Sequence, residues 1–227
     1  MKTYIKVNKT ILEKLPKEFI FDGRFEPDLV KKMLIEYSKQ NAIVFDPFMG
    51  FGTSIITAEK MGMTAYGVEI DKERFLYAKS KIKNKNNIFN KDIVEIDVNE
   101  IPPVDICITS PTYAWRNNGS NPFNLNSKNG YYEEYLNMVK SYFEKIEKFI
   151  KDEGILIIDS SNIYFQDLNT TLAWDIKNKI SEIESYKFIR EHVICWPNNE
   201  NSFLGGNFGF GYDHSYCLVF KKIKYNK

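Results

Sequence analysis

The chain has few of the residues that build metal centres and disulfide frameworks. Its 227 residues include only three cysteines and two histidines. Cys107, Cys195 and Cys217 are widely spaced and odd in number, which fits neither a zinc site nor a disulfide framework. His192 and His214 alone are too few for a multi-histidine metal site. We therefore expect no bound metal.

Long apolar runs and an excess of charge are also absent. No apolar stretch is long enough to span a bilayer, and the first ten residues, MKTYIKVNKT, lack the apolar segment of a signal peptide. Lysine and arginine number 31 against 30 aspartates and glutamates. Any basic surface for nucleic acid would therefore have to be local. These absences predict a soluble, cytoplasmic protein.

Strand and helix signals alternate along the chain, which is typical of α/β folds with a mostly parallel sheet. The length and even composition predict one domain over residues 1–227. Helices are expected over Glu26–Ser38, Thr53–Met61, Lys72–Lys83, Tyr131–Lys151 and Trp174–Ile183. Strands are expected over Ala42–Phe45, Thr64–Ile70, Asn87–Phe89, Val104–Thr109, Gly154–Asp159, Phe188–Trp196 and Ser215–Lys222. The last two strands would pair around a loop, Pro197–Gly211.

A glycine-rich turn, VFDPFMGFGTS, covers Val44–Ser54 and joins a predicted strand to a predicted helix. Gly50 and Gly52 let the backbone turn sharply and bring its N–H groups near a ligand. The helix that follows adds the positive end of its dipole, and Thr53 or Ser54 could cap it. The turn lacks the Lys-Ser/Thr of a phosphate-binding loop, which disfavours a nucleoside triphosphate. The pattern therefore indicates a different ligand beyond the carboxyl end of the strand.

Acidic residues follow the next two predicted strands. Glu69 ends the second strand roughly twenty residues after the glycine turn, where a carboxylate can accept hydrogen bonds from ribose hydroxyls. Asp71 directly precedes a predicted helix and is interpreted as its N-cap. Asp92 follows the weak third strand. A surface carboxylate remains the alternative interpretation for both Glu69 and Asp92.

The segment TSPTY, Thr109–Tyr113, follows the apolar strand ICIT. The exocyclic amine of a base is a poor nucleophile, because its lone pair delocalises into the ring. Fixed acceptors such as a serine side chain and a proline carbonyl can hold the amine hydrogens and align the nitrogen. An aromatic ring can stack on a base that has been flipped out of a duplex. A turn that merely closes a buried strand is the alternative.

Together and in this order, the two motifs resemble the amino-methyltransferases of nucleic acid. These enzymes transfer a methyl group from S-adenosylmethionine to the exocyclic amine of cytosine or adenine. The resemblance implies a Rossmann-like class I methyltransferase fold, with a seven-stranded, mostly parallel sheet that has one antiparallel strand and helices on both faces. It also implies S-adenosylmethionine as the cofactor and nucleic acid, DNA rather than RNA, as the partner.

The resemblance assigns roles to residues of three kinds. The residues implied in cofactor binding are Phe25, Asp46, Phe48, Gly50, Gly52, Thr53, Glu69 and Asp92. The residues implied in catalysis are Ser110, Pro111 and Tyr113. The residues expected to contact the substrate are Thr112, Trp115, Arg116, Trp196 and His214.

Details of the motifs favour cytosine as the base. Ser110 resembles the cytosine enzymes, since the adenine enzymes usually carry Asp or Asn there, and FGYDHSYCLVFKK at 210–222 resembles the closing strand of the cytosine type. Thr112 replaces the second proline of the family pattern, and Ser215 replaces a glutamate. An RNA cytosine methyltransferase, an adenine-N(6) DNA methyltransferase and a non-catalytic nucleic-acid-binding module remain alternatives.

The chain has no segment large enough for a separate target-recognition domain. Recognition of the nucleic acid would then fall to two polar loops, Ala114–Gly130 and Pro197–Gly211.

Overall fold

The computed structural model describes residues 3–10, 12–19, 23–116, 121–124, 131–198 and 205–224. The predicted loops Ala114–Gly130 and Pro197–Gly211 therefore lie partly outside the described residues. Within those ranges, no helix is both long and apolar enough to cross a membrane.

Strands and helices alternate as the sequence predicts, with two additional strands in a small hairpin and one at the beginning. The strands are β1 (Tyr4–Lys6), β2 (Ile43–Asp46), β3 (Thr64–Val68), β4 (Ile88–Phe89), β5 (Val104–Thr109), β6 (Ile150–Ser160), β7 (Ile163–Phe165), β8 (Leu168–Thr170), β9 (Tyr186–Cys195) and β10 (His214–Lys222). The α-helices are α1 (Pro27–Tyr37), α2 (Thr53–Lys60), α3 (Lys72–Lys81), α4 (Tyr131–Ile146) and α5 (Leu172–Ser181).

The main sheet has the strand order β1-β9-β10-β6-β5-β2-β3-β4. Strand β10 is antiparallel to both of its neighbours, β6 and β9, whereas the other pairs are parallel. The expected single antiparallel strand is therefore confirmed. The expected number of seven is one too low, because the three-residue β1 adds to the edge beside β9.

Helices cover both faces of this sheet, as expected. On one face, α1, α2 and α3 contribute Leu29, Ile55 and Ala78 to a buried apolar cluster. On the other face, α4 and α5 contribute residues such as Tyr135 and Ile176 to a second cluster. Both clusters include strand residues, so the sheet lies between two apolar layers.

The residues predicted to begin a helix are confirmed at two helices and wrong at a third. Pro27 is the first residue of α1, where its missing N–H costs no hydrogen bond. Asp71 caps α3 by accepting a hydrogen bond from the Arg74 N–H at 2.8 Å. Helix α2 instead has Gly52 at its N-cap with no side-chain cap, so Thr53 and Ser54 do not serve there.

Candidate active site

A cavity of about 760 Å³ lies at the carboxyl edge of the main sheet. Asp46 ends β2, Glu69 follows β3, Ser110 follows β5, and Asp159 lies near the end of β6; all four line the cavity. Pockets for small ligands typically enclose about 300–1,000 Å³. The predicted site residues that line it are Phe25, Asp46, Phe48, Gly50, Thr53, Glu69, Asp92, Ser110, Pro111, Thr112, Tyr113 and Trp196.

The glycine-rich turn holds Glu69 at the wall of this cavity. The Gly50 N–H donates to Oε2 of Glu69 and the Asp71 N–H donates to Oε1, each at 2.8 Å. Burial raises the pKa of Glu69, and these two hydrogen bonds oppose the rise. Gly50 has a φ of 51°, and a Cβ placed there would meet no atom of the described residues within 4 Å. The turn therefore presents a fixed carboxylate beside open space, as a ribose-binding residue requires.

The second glycine of the turn has a different role. Gly52 has a φ of 78°, and a Cβ placed on it would lie 2.9 Å from Cδ1 of Ile82 and 3.1 Å from the Cβ of Ala78. Gly52 does not belong to the cavity lining. Its missing side chain allows α2 to pack closely against the end of α3, so it shapes the fold around the turn.

Asp46 joins the glycine turn to the TSPTY turn. Its carboxylate accepts hydrogen bonds from Oγ1 of Thr109 at 2.6 Å and from the Phe48 N–H at 3.1 Å. The Ser54 hydroxyl also donates to it. Burial raises the pKa of Asp46 to about 6 against the effect of these donors. The carboxylate thus fixes the end of β2 relative to the end of β5.

The TSPTY turn lies across the cavity from the glycine turn. The Ser110 side chain lies close enough to the Tyr113 hydroxyl to oppose part of the rise in the pKa of Tyr113, and the Tyr135 hydroxyl donates to the Thr112 carbonyl at 2.9 Å. Burial, assisted by the charge of Asp159, holds the pKa of Tyr113 well above its ordinary value. The phenol therefore stays protonated at neutral pH, and its ring contacts Phe210 with 5.4 Å between centroids.

Asp159 is a cavity residue that the sequence analysis does not single out. It is buried, and its Oδ1 accepts a hydrogen bond from the Ser215 hydroxyl at 3.1 Å. The Trp196 indole N–H donates in turn to Ser215 at 3.0 Å. Burial raises the pKa of Asp159 to about 7. The sequence could have indicated that Asp159 lines the cavity, because the predicted strand Gly154–Asp159 ends at this residue.

Aromatic rings and Asp92 form the remaining wall. Phe48 packs edge-on against Tyr142, with 5.7 Å between ring centroids. The Tyr142 hydroxyl donates to Oδ2 of Asp92 at 3.3 Å, and the other oxygen of Asp92 accepts from the Val94 N–H at 3.1 Å. Asp92 therefore reaches the cavity as the cap of a short 3-10 turn.

Three residues expected to contact the substrate do not line the cavity: Trp115, Arg116 and His214. The Trp115 ring packs edge-on against Phe165. The Arg116 guanidinium lies over the Tyr132 ring, 4.8 Å from its centroid, and 3.5 Å from a carboxylate oxygen of Asp175.

The third of these residues, His214, is the first residue of β10, and its Nε2 lies 2.9 Å from the Tyr216 hydroxyl. All three residues are thus held by protein groups beside the cavity.

Comparison with known proteins supports the resemblance that the motifs carry. Residues 4–80 match a family model described as DNA methylase. Type II methyltransferase M.HpaI from Haemophilus parainfluenzae is 28% identical over 137 residues, which cover 60% of this chain and 42% of that protein. Type II methyltransferase M.MjaII from Methanocaldococcus jannaschii is 33% identical over 63 residues, or 28% of this chain and 12% of that protein. The chain thus matches less than half the length of these curated relatives. The family model and the relatives support the predicted resemblance to the amino-methyltransferases. They also support the prediction that S-adenosylmethionine is the cofactor.

Solved structures confirm the fold. TrmN from Thermus thermophilus has a TM-score of 0.60 at 15% identity, covering 89% of this chain and 51% of that chain. A putative RNA methyltransferase from Pyrococcus horikoshii has a TM-score of 0.59 at 14% identity, covering 93% of this chain and 92% of that chain. The predicted Rossmann-like methyltransferase fold is therefore confirmed.

Proposed function

We propose that this protein is an S-adenosylmethionine-dependent methyltransferase that methylates the exocyclic amine of cytosine in DNA. One observation carries the proposal: the cavity brings the glycine turn and Glu69 together with Ser110, Pro111, Tyr113 and Asp159. The glycine turn and Glu69 suit a nucleoside ligand, whereas the other four residues suit a planar amine. The family model described as DNA methylase favours DNA as the substrate.

The residues around the glycine turn fit this cofactor. Glu69 presents a buried carboxylate for ribose hydroxyls, and the space beside Gly50 is open. Phe48 and Asp92 offer a ring and an acceptor on the neighbouring wall. When bound, S-adenosylmethionine supplies an electrophilic methyl group on a positively charged sulfur.

The TSPTY turn would act on the amine of the base. The Ser110 side chain and the Pro111 carbonyl accept the amine hydrogens, which orients the nitrogen lone pair toward the methyl donor. Tyr113 stays a neutral phenol and offers its ring to the base.

Asp159 would take up the proton that the amine loses. Its raised pKa of about 7 makes the carboxylate a better proton acceptor than an ordinary aspartate. The Ser215 hydroxyl accepts a hydrogen bond from the Trp196 indole and donates one to Oδ1 of Asp159. Ser215 therefore holds one oxygen of the carboxylate and does not bond to the other. Ser215 stands where the resemblance has a glutamate, so this chain keeps a neutral group beside Asp159.

Incubation with cofactor and nucleic acid, followed by mass spectrometry of the nucleosides, tests the proposal. N4-methylcytosine from DNA is the expected product, and the Ser110→Ala, Tyr113→Ala double variant is the inactive control. N6-methyladenine would contradict the choice of cytosine, and a product from ribosomal RNA alone would contradict the choice of DNA. Cofactor binding without any methylated nucleoside would contradict the activity itself.

A further inference from the structure

A small β-hairpin leaves the carboxyl edge of the sheet soon after Asp159. It consists of β7 and β8, whose residues pair from Ile163 with Thr170 to Phe165 with Leu168. The turn between them uses Gln166 and Asp167, both with positive φ, at 51° and 60°. The sequence pattern predicts no strand here, so the hairpin is a feature that only the structure shows.

One side of the hairpin is anchored to the chain that directly follows the TSPTY turn. The Phe165 ring packs against Trp115, with 6.2 Å between centroids. Oγ1 of Thr170 accepts a hydrogen bond from the Arg116 N–H at 3.2 Å. Trp115 and Arg116 therefore act as supports for the hairpin.

The other side is anchored to the turn at residues 205–213. The Tyr164 N–H donates to the Phe210 carbonyl at 2.8 Å, and the Tyr212 hydroxyl donates to Oδ1 of Asn169 at 3.1 Å. Phe210 is the residue whose ring contacts Tyr113 in the cavity. The hairpin is thus fixed at both sides to the place where the target base would bind.

The outward surface of the hairpin carries groups that suit bases better than phosphates. Tyr164 is 47% exposed, and Gln166, Asp167 and Asn169 are exposed as well. Residues 161–171 contain no lysine or arginine, the residues that dominate contacts to phosphate. An aromatic ring stacks on bases, and an amide side chain can hydrogen-bond to a base edge.

We propose that this hairpin is a recognition element that contacts the bases flanking the target base, with Tyr164 stacking on an unpaired flanking base and Gln166 bonding to a base edge. The inference rests on the proposed function, since flanking bases exist only on a nucleic-acid substrate. In this proposal, a hairpin next to the TSPTY turn contributes to recognition of the DNA sequence around the target base.

Two substitutions test the two contacts. Tyr164→Ala removes the ring, whereas Tyr164→Phe keeps the ring and removes only the hydroxyl that bonds to Asp167. Gln166→Gly removes the amide, and glycine tolerates the positive φ at this position. Tyr4→Ala is the matched control, because Tyr4 is 46% exposed and lies on β1, outside the cavity lining.

Binding of a short, fluorescein-labelled single-stranded oligodeoxynucleotide of random sequence is measured first. Tyr164→Ala should raise the dissociation constant about tenfold, in line with the loss of one base–aromatic stack. Tyr164→Phe and Tyr4→Ala should bind as the wild type does. Because the hairpin carries no cation, the dependence of affinity on salt should not change in any variant. In every variant, the affinity for S-adenosylhomocysteine measured by calorimetry and the melting temperature should equal those of the wild type.

Methylation of a DNA pool with random flanking sequence is measured second. Gln166→Gly should alter the preference for flanking bases, and an unchanged preference would overturn the base-edge contact. Wild-type oligonucleotide binding by Tyr164→Ala, or equal losses in Tyr4→Ala, would overturn the stacking contact while leaving the methyltransferase activity intact. A wild-type protein that binds the cofactor but methylates no nucleic acid would instead overturn the proposed function, and this inference with it.

Discussion

Replacing Asp159 by asparagine should change how the stability of the protein depends on pH. Burial raises the pKa of Asp159 from an ordinary value of 3.8 to about 7 in the folded protein. Between those two values the folded state binds a proton that the unfolded state has lost. The contribution of this group to stability is therefore fully present below pH 4 and is lost as pH rises through 7. At about 1.4 kcal/mol per pKa unit, the loss amounts to about 4 kcal/mol.

The asparagine variant removes this titration while keeping an oxygen that can accept the Ser215 hydrogen bond. Urea unfolding of Asp159→Asn and wild type should therefore give a difference in unfolding free energy that moves in favour of the variant by about 4 kcal/mol between pH 4 and pH 8. Asp152→Asn makes the same chemical change at an exposed position and should show no such trend. Parallel stability curves for Asp159→Asn and wild type would refute the assignment of a buried, proton-binding carboxyl to this position.

The same variant tests the role of the carboxylate in turnover. If Asp159 accepts the amine proton, wild-type turnover should fall as pH drops below about 7, where the carboxyl becomes protonated. Asp159→Asn should lower turnover by about a hundredfold or more, bind the cofactor normally and lose that pH dependence. An unchanged pH profile in the variant would show that another group controls the reaction.

Four further substitutions test the two turns. Gly50→Val should lower cofactor affinity in calorimetry, because its side chain would enter the open space at the cavity wall, and the φ of 51° should make it cost some stability too. Gly52→Val should lower the melting temperature further, because Ile82 and Ala78 also fill the space that its side chain would need. Ser110→Ala should reduce turnover by about a hundredfold with cofactor affinity unchanged, and normal turnover would exclude the serine from catalysis. Thr112→Pro should keep or raise methyl transfer, because the carbonyl that Tyr135 holds is retained; a shift of base preference would instead show that the threonine shapes the pocket.

Periodic apolar patterns predicted most of the main sheet, and the errors occur where local signals conflict. The strand at Val104–Thr109 is predicted with the bounds that the structure has, because six residues that are mostly apolar end at a proline turn. The helix predicted over Tyr131–Lys151 ends at Ile146 instead. A 3-10 turn and the start of β6 follow, and their apolar residues continue the helical spacing. The strand Tyr4–Lys6 was missed because three residues carry too little alternation, and its pairing with β9 is a tertiary effect.

The motifs that line the cavity could be predicted from the sequence, but the residues that hold their side chains in place could not. The spacing of Gly50, Glu69 and Ser110 follows from strand order, since parallel strands present their carboxyl ends at one edge. The hydrogen bond from Ser215 to Asp159 joins residues far apart in sequence, so no local sequence pattern predicts it. Trp115 and Arg116 follow the TSPTY turn and carry groups that suit nucleic acid, yet their partners are protein groups.

The row of rings that runs from Trp196 through Phe208 and Phe210 to Tyr113 gives the protein its own optical reporter. Neighbouring ring centroids in this row lie 5.2, 6.1 and 5.4 Å apart. A base that stacks on Tyr113 would disturb the row, and the indole at its far end would emit in a changed environment. With Trp115 and Trp174 replaced by phenylalanine, the remaining tryptophan emission should follow the entry of a base in real time, with no label on either molecule.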